Sequence, residues 1–234
     1  MKQKTINARG CQWERIPVRT KLILKGDDLL AAIGEGIDNS GIELRDDDIL
    51  FVSEKAVGAS QGRYYLLDDG SLKAGALARF LSRFVTRTPA GIGLGMPETM
   101  ECALRECGAP RILLASFIGA IGKLVGRRGD FYRIAGPKAR SIDGPTSGTI
   151  PPFNRAVSLA PLDPDGVSKS IARRFNCRGA VVDINDLGGN ILGAWPRDLD
   201  RELLVEILVD NPLGQGTEGT PAGVIRKVED TAAE

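Results

Sequence analysis

The stretch GAVVDINDLGGNILG, Gly179 to Gly193, frames the reading of the whole chain. A short apolar run ends at Asp183, and Asn185, Asp186 and a pair of glycines follow. A continuous apolar run bounded by Asp, Asn and Gly predicts a buried strand that stops at a turn. Two carboxylates at that turn have two readings. The plainer one is a helix cap or an Asx turn. The chemical one is a metal-binding carboxylate at a strand end, where many α/β sites sit. Either Asp183 or Asp186 can serve, and the spacing does not choose between them.

Working outward, helical and strand patterns alternate irregularly with no fixed repeat, so the class is mixed α/β or α+β. GDDLLAAIGEGIDNSG predicts a helix over about Asp27 to Ile37, capped by Asp27 or Asp28. A buried strand follows over Ile49 to Ser53. Helical spacing recurs in Gly70–Thr88, and MPETMECALRECG adds a helix with Pro97 in its first turn and Gly108 after its end. RILLASFIGAIGKLVG, apolar and punctuated by glycine, predicts strand and turn. A capped helix is expected over about Asp165 to Phe175, another in PRDLDRELLVEILVDN, and a closing strand in PAGVIRKV. The chain reads as a single unit over 1–234, with possible sub-domains 12–150 and 155–228 joined by GPTSGTIPPFN, Gly144 to Asn154. Residues up to about Cys11 and from Lys227 onward are expected to fray.

Composition narrows the chemistry. The 234 residues are 42% hydrophobic, enough for a substantial core. A net charge of +1 gives no bulk attraction to nucleic acid or anionic membrane. No apolar stretch reaches membrane-spanning length, and the N-terminus has no apolar signal core. Cys11, Cys102, Cys107 and Cys177 are scattered, form no Cys-x-x-Cys pair, and read as reduced thiols of a cytoplasmic protein. Histidine is absent, which removes Ser-His and Cys-His nucleophile pairs and imidazole metal sites. Any metal must then be held by oxygen, which favours a hard ion such as magnesium or manganese.

Three further motifs have both a chemical and an ordinary reading. FIGAIGKLVG fails as a P-loop, because Phe117 stands at the first glycine position and Leu124 at the hydroxyl position. GIGLGMPE, Gly91 to Glu98, is either an anion-binding turn or a plain loop. DNPLGQGTEGTPAGVI interleaves Gly214, Gly216 and Gly219 with Gln215, Thr217 and Glu218, a pattern that can cradle phosphate or simply turn. From Ile121 to Arg140 the chain carries Lys123, Arg127, Arg128, Arg133, Lys138 and Arg140 against Asp130 alone. That is either a solvated face or a site for phosphate or polycarboxylate.

In order, IPVRTKLILKGDDL, DILFVSEKAVGASQGR, APLDPDGVSKSIARRF, the Asp-bearing strand and GQGTEGTPAGVIR resemble the coenzyme F-420 gamma-glutamyl ligase family. The resemblance is good over the first 65 residues and from about Leu159 onward, and weak between about Tyr64 and Asn154. It implies an unusual α+β fold in an intertwined homodimer. It also implies addition of L-glutamate to the deazaflavin precursor F-420-0, with GTP and a divalent ion, through an acyl phosphate. By position, nucleotide contacts fall on Val18, Arg19, Thr20 and Lys21, and on Ser53, Glu54 and Lys55. Further contacts fall on Leu213, Gly214, Gln215, Gly216, Thr217, Glu218, Gly219 and Thr220. Lys55 is the expected phosphate contact. Asp186 takes the strand-end metal position with Asp183 as runner-up, and Gln215 is a further ligand.

Three departures accompany the likeness. AGPK places Lys138 where the family carries a metal aspartate, for which Asp143 could substitute. Ala59 replaces a lysine before QGR, and DLGGN replaces the usual continuation after the metal aspartate. The acceptor could therefore be another cofactor of methanopterin or methanofuran type. Arg127, Arg128, Lys138 and Arg140 are candidates to hold a polyglutamate tail. The rival readings are a non-catalytic nucleotide- or cofactor-binding protein and a scaffold dimer.

Overall fold

A computed structural model describes residues 4–85, 93–127, 129–185, 188–214 and 217–228. In chain order the elements begin with β1 (Thr5–Ala8), β2 (Cys11–Val18), α1 (Leu29–Ser40), β3 (Ile49–Ser53) and α2 (Glu54–Ser60). They continue with β4 (Tyr64–Leu66), α3 (Ala76–Ser82), α4 (Pro97–Cys107), α5 (Ala109–Leu124), α6 (Asp130–Ala135), α7 (Pro137–Arg140) and β5 (Ala156–Ser158). The chain closes with α8 (Pro164–Phe175), β6 (Arg178–Asn185), β7 (Gly188–Trp195), α9 (Arg201–Ile207) and β8 (Ala222–Lys227). These form two compact units, Met1–Gly62 with Pro161–Glu234, and Arg63–Ala160. The divisions fall at Gly62/Arg63 and Ala160/Pro161, so the stretch Gly144 to Asn154 lies inside the second unit rather than between units.

The first unit is a six-stranded mixed sheet in the order β1-β2-β8-β3-β6-β7. Only β3 and β6 pair in parallel; every other neighbour is antiparallel. β3 alternates its side chains between two buried faces. Ile49 and Phe51 join Ala180, Val182 and Ile225 beneath Leu204 and Ile207 of α9. On the opposite face α8 lies across β6 and β7, so close that a side chain at Gly179 would strike the Ser168 carbonyl and one at Gly193 the Pro164 carbonyl. Glycine at those two positions is what lets the helix seat.

The N-terminal strand corrects an expectation of fraying. Thr5–Ala8 pairs with β2 from Thr5↔Glu14 to Ala8↔Cys11, and the Arg15 amide donates to the Lys4 carbonyl at 2.7 Å. At the far end of β3, Asp48 is fully buried and takes a two-pronged salt bridge from Arg226 (2.8 and 2.6 Å) plus the Arg45 amide (2.9 Å).

The second unit is mostly helical. Its entry and exit are zipped together: Tyr64 pairs with Ser158, the Leu159 amide donates to the Arg63 carbonyl (2.9 Å), and Arg63 Nε donates to the Ala160 carbonyl (3.0 Å). Its core gathers Leu94, Met100, Ile112, Ala139, Ile142 and Val157. Here RILLASFIGAIGKL is one helix, α5, not strand and turn. Its glycines mark close approach. A side chain at Gly119 would lie 3.0 Å from Phe131 Cβ, and one at Gly122 2.5 Å from an Asp130 carboxylate oxygen, both on α6.

Of the helix expected within Gly70–Thr88, the described residues form Ala76–Ser82, and residues 86–88 lie outside them. All four cysteines are free thiols, and burial pushes the Cys102 thiol up to about 12. Among the described residues no single helix is long and apolar enough to cross a membrane.

Candidate functional site

The sheet register brings four separated segments to one end of the first unit. β2 and β3 both run antiparallel to β8, so they point the same way. Val18 and Val52 both sit opposite Ala222, and Ser53 sits opposite Val182 of the parallel neighbour β6. The C-terminal ends of β2, β3 and β6 therefore lie together with the loop that leads into β8. Strand ends of this kind are where open α/β sheets bind ligands.

Backbone bonds tie these segments together. The Thr20 amide donates to the Gly219 carbonyl at 3.0 Å, and the Ser53 amide donates to the Pro221 carbonyl at 2.8 Å. The Thr20 hydroxyl donates to the Lys21 carbonyl (2.7 Å) and the Thr220 hydroxyl to the Leu213 carbonyl (2.7 Å), which closes the loop. Gly214 has φ +79°, a conformation that favours glycine, and the Glu218 carboxylate lies beside it. Val18 and Leu213 are buried anchors, while Arg19, Lys21, Thr217 and Glu218 face solvent.

Ser53 ends β3 and caps α2, its hydroxyl accepting from the Ala56 amide at 3.4 Å. This cap turns the chain sharply, burying Glu54 and leaving Lys55 exposed in the first helical turn. Asp183 is half-buried near the end of β6, opposite Asn190 of β7. Asn185 pairs with Gly188, so the opening stretch forms an antiparallel pair, β6 with β7. Asp186, Gln215, Gly216 and Arg128 lie outside the described residues.

Two of the quoted motifs meet each other. The Gln61 side chain of GASQGR donates to the Leu162 carbonyl (2.9 Å) and accepts from the Leu162 amide (2.7 Å), reading APLDPDG as one strand reads another. In that motif Asp163 caps α8 by accepting from the Gly166 amide at 3.0 Å, and the Gly166 position leaves no room for a side chain beside that carboxylate. Asp165 holds Arg201 (3.0 Å) and the Ala194 amide (3.2 Å). Beside the clamp lies a cavity of about 490 Å³, bordered by Leu29, Val57, Ser60, Gln61, Asp163 and Ser170. The sequence reading did not find this cavity, although the pairing of QGR with LDPDG was its available signal.

The remaining candidates belong to the second unit. Asp143 is half-buried and forms a bridge with Ser158, each amide donating to the other's carbonyl (3.1 and 2.9 Å). Lys138 and Arg140 are exposed on α7. Arg127 and Arg133 both pair with Asp130, at 3.3 and 2.9 Å. The Arg63 guanidinium hydrogen-bonds Glu106 through both carboxylate oxygens (3.0 and 2.6 Å) and, helped by Lys138, holds that carboxyl below its usual range.

Among the described residues no group of three or more Asp, Glu or Cys is placed to hold a metal ion. Asp183 and Glu218 are oxygen donors of the type a hard ion prefers. By themselves they do not complete a site.

This is a mixed α+β protein whose strand ends present a set of glycine-bearing polar loops. A family model described as F420-0:Gamma-glutamyl ligase matches residues 17–190, and the chain belongs to that family. Over 62 residues it is also 37% identical to an uncharacterised protein of Methanocaldococcus jannaschii, MJ1361. That match spans 26% of this chain and 20% of the relative's length.

Proposed function

We propose that this chain is a GTP-dependent acid–amino-acid ligase that joins L-glutamate to a cofactor precursor, F-420-0 by default. The observation that carries the reading is the convergence of Val18–Lys21, Ser53–Lys55, Asp183, Leu213–Gly214 and Thr217–Thr220 at one end of one sheet. Membership of the ligase family supports the reaction type.

In this reading an acceptor carboxylate oxygen attacks the γ-phosphorus of GTP, and GDP leaves. The glutamate amine then attacks the acyl carbon of the resulting acyl phosphate. The C–O bond to phosphate breaks, inorganic phosphate departs, and the nitrogen loses a proton as the amide forms. Nothing here requires histidine: the protein's work is positioning and charge stabilisation. Lys55 supplies a positive charge for the phosphates, and backbone groups around Thr20 and Gly219 frame the nucleotide. Magnesium or manganese would supply further charge neutralisation, with Asp183, Asp186 and Gln215 as the oxygen donors.

The experiment is phosphate release from GTP with manganese, L-glutamate and F-420-0, with mass spectrometry of the deazaflavin. A gain of one or more glutamyl units is the expected result. GTP binding without any gain would move the acceptor to another cofactor precursor, to be sought among methanopterin- and methanofuran-type molecules. Neither binding nor turnover across that panel would sink the ligase reading.

A further inference from the structure

Among the described residues, Arg9, Asp163, Asn176 and Asn211 are the non-glycine positions with positive φ. The first three are exposed and lie in a turn or in the caps of α8. Asn211, at φ +50°, is 1% exposed. The left-handed region disfavours side chains, and burial disfavours polar groups that go unbonded. Asn211 is held against both effects by its bonds. Its amide donates to the carbonyl of Leu208, where α9 ends, at 2.9 Å. Its own carbonyl accepts from the Gly214 amide (3.1 Å), and its carboxamide nitrogen donates to the Gly214 carbonyl (3.3 Å). One residue thus grips both backbone groups of Gly214. The Leu213 carbonyl beside it takes the Thr220 hydroxyl, so the loop is bonded where it opens and where it closes.

The root of this turn is pinned from another strand. Arg15 of β2 is 2% exposed. Its guanidinium donates to the Ile207 carbonyl at 3.0 Å and makes a two-pronged ion pair with Asp210, the residue before Asn211. Three residues further along β2 is Val18, where the first of the converging segments begins. The strand that delivers Val18–Lys21 therefore also fixes the point from which Leu213 and Gly214 depart.

We propose that Asn211 is a positioning residue for nucleotide binding. Its left-handed turn, seconded by its carboxamide, sets the direction in which the loop leaves the core at Leu213–Gly214, and with it the place of the backbone groups that frame GTP. This role rests on the ligase reading of the site. Asn211 acts through Gly214 and touches no substrate.

Substitution separates the turn from the carboxamide. Glycine enters the left-handed region freely but has no carboxamide, and alanine supplies neither. The test is calorimetric titration of GTP into the full chain with manganese, followed by glutamyl-transfer kinetics. Asn211→Ala is expected to raise the GTP dissociation constant and the KM for GTP on the order of 10- to 100-fold. Its kcat and its KM for L-glutamate stay near wild type, the pattern of lost nucleotide binding. Asn211→Gly keeps the turn and recovers most of the affinity, to about fivefold weaker than wild type, the worth of one hydrogen bond. A purely structural role would show otherwise: a partly unfolded sample lowers the binding stoichiometry and the kcat per chain, while the folded fraction binds GTP normally. That outcome would overturn the proposal, as would an Asn211→Ala that binds GTP like wild type. So would an Asn211→Gly no tighter than Asn211→Ala, because the left-handed turn would then not be what places the loop. A wild-type chain that binds no GTP would instead sink the ligase reading, and this role with it.

Discussion

In the sheet unit, polar side chains gather at one end of the strands; in the inserted helical unit, apolar side chains face water along two helices. The two regions hold their unused surface in opposite currencies. Around Ser53 and Gly219, backbone bonds hold loops whose side chains have little hydrophobic reason to be there. Along α5, Phe117 and Leu124 have hydrophobic reason to be covered, and none of the described residues covers them. Polar loops and exposed apolar side chains thus lie in different parts of one chain.

The largest effect that could break this division is at Asp48. Its fully buried carboxylate is paired with Arg226 at the end of β3 opposite Ser53. Asp48→Ala leaves the Arg226 guanidinium without its carboxylate, holding only the Glu43 carbonyl, and is expected to cost about 3 kcal/mol in urea unfolding, while turnover of the remaining folded protein stays near wild type. Normal stability would mean that the sheet is not pinned there. Lys55→Ala should show the reverse. The side chain is exposed, so melting is unchanged, while glutamyl transfer falls on the order of 100-fold. Equal turnover would take Lys55 out of the phosphate site.

The smallest effect belongs to the root of the insert. The Glu106 carboxyl is held below its ordinary value, first by its hydrogen bond from Arg63. A depressed folded value stabilises above the pH where free glutamic acid protonates, about 4.3, and that stability is lost as pH falls through the folded value. Glu106→Gln should flatten the acid limb of a urea-midpoint titration between roughly pH 3 and 5. An acid limb of unaltered slope would assign it to other carboxylates.

Legibility depended on whether the deciding signal was local in sequence. Ile49–Ser53 was readable because an unbroken apolar run between Asp48 and a capping serine has few other solutions. The helix expected from about Asp165 to Phe175 was equally plain, and the structure starts it one residue earlier, at Pro164, with Asp163 as its cap. The convergence of the N-terminal, Ser53 and Gly219 segments was legible only through resemblance, because strand register is not written in local pattern. α5 was misread because its glycines serve contact with Phe131 and Asp130, partners that periodicity cannot see. β1 was missed because TINA carries little apolar signal, and its order comes from the ladder with β2.

The placement of β8 has a consequence for synthesis. This strand, Ala222–Lys227, is hydrogen-bonded to β2 on one side and β3 on the other. On a ribosome, which delivers the N-terminal end first, β1-β2 and β3-β6-β7 emerge as two ribbons with facing bare edges and nothing to join them. The insert, being contiguous, can finish while the sheet waits. Until the last strand arrives those two edges are open to pairing with other chains, and shielding them in the nascent protein falls to whatever accompanies it out of the tunnel.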